Sequence, residues 1–399
     1  MLPARLRSPA LAVHGLILAS NLAQMATFPL LPAYGDRYGL GSTGQGLLVA
    51  LPSLGMLLVA LPSGRLCDRV GARRVTVAAG VLLAVGALLQ ALDALGGVLA
   101  GRALFGVGFG VLWTSGMAWI SATSAGSTGS VVTTSAVGSV LGPALGGWLA
   151  ERAGLGAPFL LFGLLCAALV AVALGTASEP GRSGPVAAPA PTRRTWALVT
   201  RSPGVLVAAV GLALVGAASG IVQLLVPLQL AREGGGSGAI GLVLGSAGVI
   251  YVVVSTAAVR LDRALTRQRV AVAGSLAMAL VLLPSGLAVQ PAVVVPALLL
   301  FTVTRAVTNT IAYPLAARDP QTGRIGPGVV MGLLNAVWAG GMVVGPVLAG
   351  RLAGSVGVAT AYAATSGVVV ATVLLLVLWL RSPASRRLPA DDRLLPVPA

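Results

Sequence analysis

The chain contains no lysine; all 26 of its basic residues are arginine. Without the phosphate-loop lysine an ATP-hydrolysing pump within this chain is not expected, and Schiff-base chemistry is excluded. His14 is the only histidine, and the two cysteines, Cys67 and Cys166, stand far apart. Neither a metal-ligand set nor a disulfide framework can be assembled from them, so no metal or cofactor is expected. Both thiols read as small packing residues. Charge is scarce at 9% of residues, against about 25% in a soluble globular protein. Acids are scarcer still: there are ten, and none falls deep inside an apolar run. Asp36, Asp93 and Glu151 all stand at run ends.

What is present is apolar. Of 399 residues 56% are hydrophobic, and the mean hydropathy is +0.95. One aqueous core could not hide so much apolar surface; lipid is the solvent it suits. The net charge of +16 does not imply nucleic acid, because the arginines occupy short gaps between apolar runs and not a water-facing surface. Arg5 and Arg7 precede a run over residues 10–33, too long for a signal-peptide core, which reads as an uncleaved first helix.

Runs of spanning length cover residues 10–33, 43–63, 75–95, 97–120, 128–150 and 156–177, then 203–230, 238–259, 270–289, 291–316, 327–350 and 356–380. With the amino terminus inside, twenty arginines fall in inner segments and four, Arg37, Arg152, Arg232 and Arg351, in outer ones. That positive-inside bias places both termini in the cytoplasm of a multi-pass plasma-membrane protein. The organisation expected is a bundle of six helices over 1–177, a cytoplasmic linker over 178–202, a second bundle over 203–380, and a disordered tail over 381–399. Arg102 and Arg305 stand 203 residues apart, as do Gly142-Pro143 and Gly345-Pro346, and Asp68-Arg69 has a counterpart in Asp262-Arg263. The fold class is therefore an all-α polytopic membrane protein of twelve helices in two pseudo-symmetric halves.

Two strings carry a family likeness. Gly64-Arg65-Leu66-Cys67-Asp68-Arg69-Val70-Gly71-Ala72-Arg73-Arg74 resembles the loop between the second and third helices of the major facilitator superfamily of secondary transporters. The resemblance implies that Asp68, with Gly64, Arg69, Gly71 and Arg73 around it, latches this loop against the other half; the alternative is that the arginines set topology alone. Gly138-Ser139-Val140-Leu141-Gly142-Pro143-Ala144-Leu145-Gly146-Gly147 resembles the fifth-helix signature of the proton-coupled antiporters in that superfamily. It reads as a bending helix, with Pro143 removing a backbone bond, or as a small-residue packing face, with Gly138, Gly142, Gly146 and Gly147 admitting a close neighbour. Asp262 and Arg305 belong to the second copy of this conformational machinery.

Arg102 in hydrocarbon must face a partner, a carbonyl or water, and Gly101-Arg102 with Gly106, Gly108 and Gly110 resembles the fourth-helix element that implies proton coupling. In the superfamily helices 1, 4, 7 and 10 line the cavity. Their polar and aromatic residues here are Asn21, Gln24 and Phe28; Arg102 and Trp113; Gln223; and Arg305, Asn309 and Tyr313, with Asn335 and Trp338 on span 11 as further substrate contacts. Each amide has the alternative role of gluing helices together. Asp36 is the remaining proton-carrier candidate, or else a solvated loop acid. With arginines as the intramembrane charge, neutral or anionic amphiphiles suit the cavity better than cations. The resemblance thus implies a monomeric proton-coupled exporter of small molecules in a lipid bilayer. A proton-independent facilitator or importer is the alternative; no His/Asp/Ser cluster supports an enzyme.

Overall fold

In lipid an apolar run has no water to bind its peptide groups, so each closes its hydrogen bonds as a helix. The computed structural model describes residues 8–92, 94–123, 128–176, 193–261, 267–287, 290–325 and 327–382. Asp93, Asp262 and Arg263 lie outside the described residues. Among the described residues twelve helices have spanning length. The first half comprises α1 (Pro9–Tyr38), α2 (Ser42–Val70), α3 (Ala72–Gln90), α4 (Leu95–Thr123), α5 (Thr128–Ala153) and α6 (Ala157–Leu174). The second comprises α7 (Pro203–Arg232), α8 (Ser237–Arg260), α9 (Gln268–Leu287), α10 (Pro291–Ala317), α11 (Pro327–Ser355) and α12 (Val358–Arg381). A short helix, Arg193–Thr200, precedes α7.

Eleven of the twelve are long and apolar enough to cross a membrane. The other, α5, has the length, 26 residues, but is diluted by Gly, Ser and Thr, because it is walled by helices on two sides. Prolines shape α1: Pro29 sits in a 3-10 turn, Phe28–Leu30, between helices Pro9–Ala26 and Leu31–Tyr38, since proline cannot donate to the preceding turn. At the α2–α3 corner Gly71 takes φ +97, a backbone state that other residues rarely adopt, while its amide closes on the Cys67 carbonyl at 2.9 Å.

Within the first half α3 packs on α4 and α6, α2 on α4, and α1 on α5 and α6; within the second, α9 packs on α10 and α12, α8 on α10, and α7 on α11 and α10. The halves meet chiefly through two helix pairs, α2 with α11 and α5 with α8, while α7 also touches α1 and α2, and α8 touches α1. The repeat is visible residue by residue. A methyl group added to Gly241 would strike the Pro143 carbonyl, and one added to Gly46 would strike that of Pro346. Likewise Gly147 abuts the Ser237 carbonyl, and Gly350 abuts that of Ser42. In α5 and α11 these partners stand 203 residues apart, in α2 and α8 195 apart.

These contacts lie in one half of the helix lengths, at the end opposite the chain termini (the far end). Two polar contacts join them there. The Ser42 hydroxyl donates to the Gly350 carbonyl at 2.7 Å, and the Gly238 amide donates to Glu151 Oε1 at 2.8 Å. Glu151 thereby caps the first turn of α8 across the seam, where free amides and the helix dipole favour an anion. Toward the terminal end the same four helices part: Val132, on the face of α5 that meets α8 at Pro143, is exposed, and Gly64 of α2 and Gly332 of α11, in register with the seam glycines Gly46 and Gly350, have open space where a side chain would project.

Because the seam is main chain against main chain, Gly241→Leu is expected to shift the ensemble toward far-end opening by about 1–3 kcal/mol, the usual range for overpacking. Spin labels at Leu92 and Val356, with the native cysteines replaced, would show a longer distance population; an unchanged distribution would contradict the seam. Glu151→Ala is expected to act in the same direction by about 0.5–2 kcal/mol, as the loss of a helix cap does, with Glu151→Gln intermediate.

Candidate functional site

Each half carries one arginine inside its helices, and the two are held in different ways. Arg102 of α4 is fully buried. Its Nε donates to the Leu48 carbonyl at 3.0 Å, and its Nη1 donates to Thr27 Oγ1 at 2.8 Å and Gln24 Oε1 at 3.3 Å. The Leu48 carbonyl is free for a sequence reason: its helical donor would be residue 52, and residue 52 is a proline. Thr27 in turn lies at the 3-10 break of α1. Pro52 thus frees a main-chain acceptor for the buried guanidinium, and the Thr27 and Gln24 side chains of α1 supply the others. Its Nη2 and the neighbouring buried Tyr34 hydroxyl have no hydrogen-bond partner among the described residues.

Arg305 of α10 is only partly buried. Its guanidinium lies 4.5 Å from the centre of the Tyr251 ring on α8, Nη1 makes a long 3.5 Å contact with Ser219 Oγ on α7, and Nε has no partner. One turn on, the Asn309 amide donates to the Tyr251 hydroxyl at 2.8 Å. A turn further the Tyr313 hydroxyl donates to Asn335 Oδ1 of α11 at 2.8 Å. Spacing of four along α10 therefore builds a polar ladder facing α7, α8 and α11, running from mid-helix toward the parted end.

The corresponding face of α4 is aromatic. Phe105 and Phe109 stack at 6.4 Å, Phe109 and Trp113 at 6.3 Å, with Phe109 and Trp113 partly exposed. Gln223, partly buried on α7, leaves its Oε1 without a partner, and Trp338 is partly buried on α11. In this conformation the α1 candidates are occupied elsewhere. Asn21 is 3% exposed, donates to the Ile17 carbonyl and accepts from Ser135 and Ser139 of α5, which glues α1 to α5. Gln24 faces Arg102, and Phe28 is buried in the core that joins the halves.

The fifth-helix string divides between two neighbours. Gly138, Gly142 and Gly146 face α1, at Asn21, Met25 and Ala26, while Val140, Pro143 and Gly147 face α8. The string expected to form a loop is helical as far as Val70: Gly64, Asp68 and Arg69 lie in the last turns of α2, where Asp68 and Arg69 are exposed and Gly64 adjoins open space. Arg73 caps α6: Nη2 donates to the Leu174 carbonyl at 2.8 Å and Nε to Thr176 Oγ1 at 3.1 Å, binding the free carbonyls at the negative end of that helix. Asp36 is exposed near the far end of α1.

Sequence reasoning alone missed Thr27, the Leu48 carbonyl, Ser219, Tyr251, Ser255 and the capping role of Glu151. Two of these had signals. Pro52 announces a free carbonyl four residues earlier, and Tyr251 is the one aromatic on α8. The others depend on which helix faces which.

Twelve helices in two like halves, with small-residue seams between them, define a polytopic membrane transporter architecture. A profile described as Major Facilitator Superfamily matches residues 14–329, and the chain belongs to that family. No curated protein matches it. Among solved structures, the chain is similar to a bacterial homologue of the human lysosomal transporter Spinster in its inward-facing, unoccupied conformation, with TM-score 0.71 and 17% identity over 96% of this chain and 98% of that one. The occupied inward-facing form of such a homologue gives TM-score 0.71 and 15% identity over 94% of each chain. The human organic anion transporter MFSD10 (TETRAN) gives TM-score 0.63 and 20% identity over 94% of this chain and all of that one. At these identities the likeness establishes the fold.

The Arg102 cage makes a test independent of substrate. Arg102→Leu leaves the Leu48 carbonyl without a donor and is expected to destabilise the fold by about 1–3 kcal/mol, the usual penalty for a buried unsatisfied group. Adding Pro52→Ala restores a main-chain donor and is expected to recover part of that loss. Thermal unfolding of the four variants of this cycle in nanodiscs checks it, and strict additivity would contradict the cage.

Proposed function

We propose that this transporter exports small neutral or anionic amphiphiles by alternating access, driven by protons, as a monomer in the plasma membrane with its terminal end in the cytoplasm. One observation carries the reading: the halves are sealed backbone to backbone at the far end and parted at the terminal end. Helix pairs joined by glycine and proline can separate without tearing interdigitated side chains, so opening the far end while closing the terminal end is a rigid-body exchange. The arginine bias toward the terminal end supports a cytoplasmic opening.

On α10 the face at Arg305 and Asn309 is cationic and polar, and α4 carries the partly exposed aromatics Phe109 and Trp113. An apolar body with a polar or anionic end suits that pair, and a cation finds no counter-charge. The similar human structure is that of an organic anion transporter, which accords with the anionic part of this reading.

Proton coupling is assigned to Arg102 and Asp36, and the loop at Asp68 is assigned as a latch at the terminal end when that side closes. A proton-independent facilitator or importer is favoured by one observation: the described acids, Asp36, Asp68, Glu151, Glu233 and Asp319, stand at helix ends and none within a helix interior.

Cells expressing the chain are expected to resist toxic anionic and neutral amphiphiles. Proteoliposomes are expected to move the same compounds faster under an imposed pH gradient, with the increase lost on adding a protonophore. Hypersensitivity of the expressing cells would overturn export, and flux indifferent to the gradient would overturn proton coupling.

A further inference from the structure

Arg305 is a charge without an answer. A guanidinium offers five N–H donors in a planar fork, yet the Arg305 fork makes one contact, at 3.5 Å, and its Nε has none. Arg102, by contrast, has two of its three nitrogens bound to neutral acceptors in a closed cage. The helix interiors hold no carboxylate among the described residues, so none of those residues neutralises Arg305. An unpaired cation away from water is unfavourable, and a site that tolerates one gains by admitting an anion.

We propose that Arg305, Tyr251, Asn309 and Ser255 form the cradle that takes the anionic group, a carboxylate or phosphate, of an amphiphilic substrate. The proposal rests on the transporter reading above and deepens it. Tyr251 covers one face of the guanidinium, 4.5 Å away, and fixes its plane, as an aromatic ring does for arginine. The donor edges of the fork are left for a two-oxygen ligand, the geometry at which arginine binds carboxylate and phosphate best. The Tyr251 oxygen already accepts from Asn309, so its own proton is available to donate. Ser255, one turn along the same face of α8, carries a buried hydroxyl with no partner. The Arg305 fork and the Tyr251 and Ser255 hydroxyls thus leave donors unused on the packed faces of α10 and α8.

On α7, one turn from Ser219, the unpartnered Gln223 carbonyl is an acceptor and would reject an anion. It suits a hydroxyl or N–H beside the charged group, and so orients a substrate that carries both.

The test is thermal stabilisation of the full chain in nanodiscs by paired probes: 1-naphthylacetate against 1-naphthylacetamide for a soluble anion, and oleate against oleamide for a lipid source. At least one carboxylate is expected to act at a concentration tenfold or more below its amide. Arg305→Gln is expected to abolish that preference while leaving stabilisation by the amide, Arg305→Lys to keep part of it, and Tyr251→Phe to weaken it severalfold. Which pair shows the preference identifies the source.

A native chain that does not prefer either carboxylate overturns the cradle, whether or not the variants fold, and so does a preference that survives in Arg305→Gln. Two ends that open in opposition without any anion preference would remove the cradle and leave alternating access standing. Failure of the ends to move in opposition would instead remove alternating access, whatever the probes bind.

Discussion

Main chain meets main chain where the two halves of this protein touch. Lipid tails solvate leucine as well as another leucine does, so no hydrophobic force drives helices together in a membrane. Close van der Waals approach must do it, and only glycine and the flat face of proline allow backbones that near. The pairs Gly241 with Pro143 and Gly46 with Pro346, repeated by symmetry, supply this contact. Such a seam is dense, and the long side chains that the halves share gather in one core that includes Phe28, Leu31, Leu48, Leu224 and Leu225. The polar contacts at its far end, from Ser42 and Glu151, are few and reversible.

The same absence of water governs the charges. Arg102 is tolerated because Pro52 leaves the Leu48 carbonyl without a helical donor and the Thr27 and Gln24 side chains of α1 accept as well. Arg73 is tolerated because it ends α6, and Glu151 because it begins α8. In each case a charged group answers backbone dipoles that the helix itself leaves unsatisfied. Arg305 is the exception, answered by a tyrosine face and one weak hydroxyl contact, and it stands where the two halves part.

The twelve-helix plan was legible because lipid imposes one pattern on the whole chain: runs of apolar residues punctuated by arginine. The two-fold repeat was legible from the spacing of Arg102 and Arg305 and of the Gly-Pro pairs, and the seam reproduces it. What a single span does was less legible. The glycines of α5 look like one stripe in the sequence, yet Gly138, Gly142 and Gly146 face α1 while Pro143 and Gly147 face α8. Asn21 looks like a cavity residue from its place on α1, but here it is turned to Ser135 and Ser139 of α5. Rotation of a helix about its axis decides such matters, and in a helix apolar on every side the sequence carries little record of it. The Tyr251 contact with Arg305 joins residues 54 apart on two helices, a pairing that only the packing reveals.

The account's central claim is that the far-end seam and the terminal-end gap exchange. Double electron–electron resonance on one preparation, with labels at Leu92 and Val356 for the far end and at Arg74 and Leu261 for the terminal end, tests it most directly. The account predicts that, as pH or ligand shifts the ensemble, one distance lengthens while the other shortens. Distances that lengthen together, or a far end that stays closed under every condition, would contradict it.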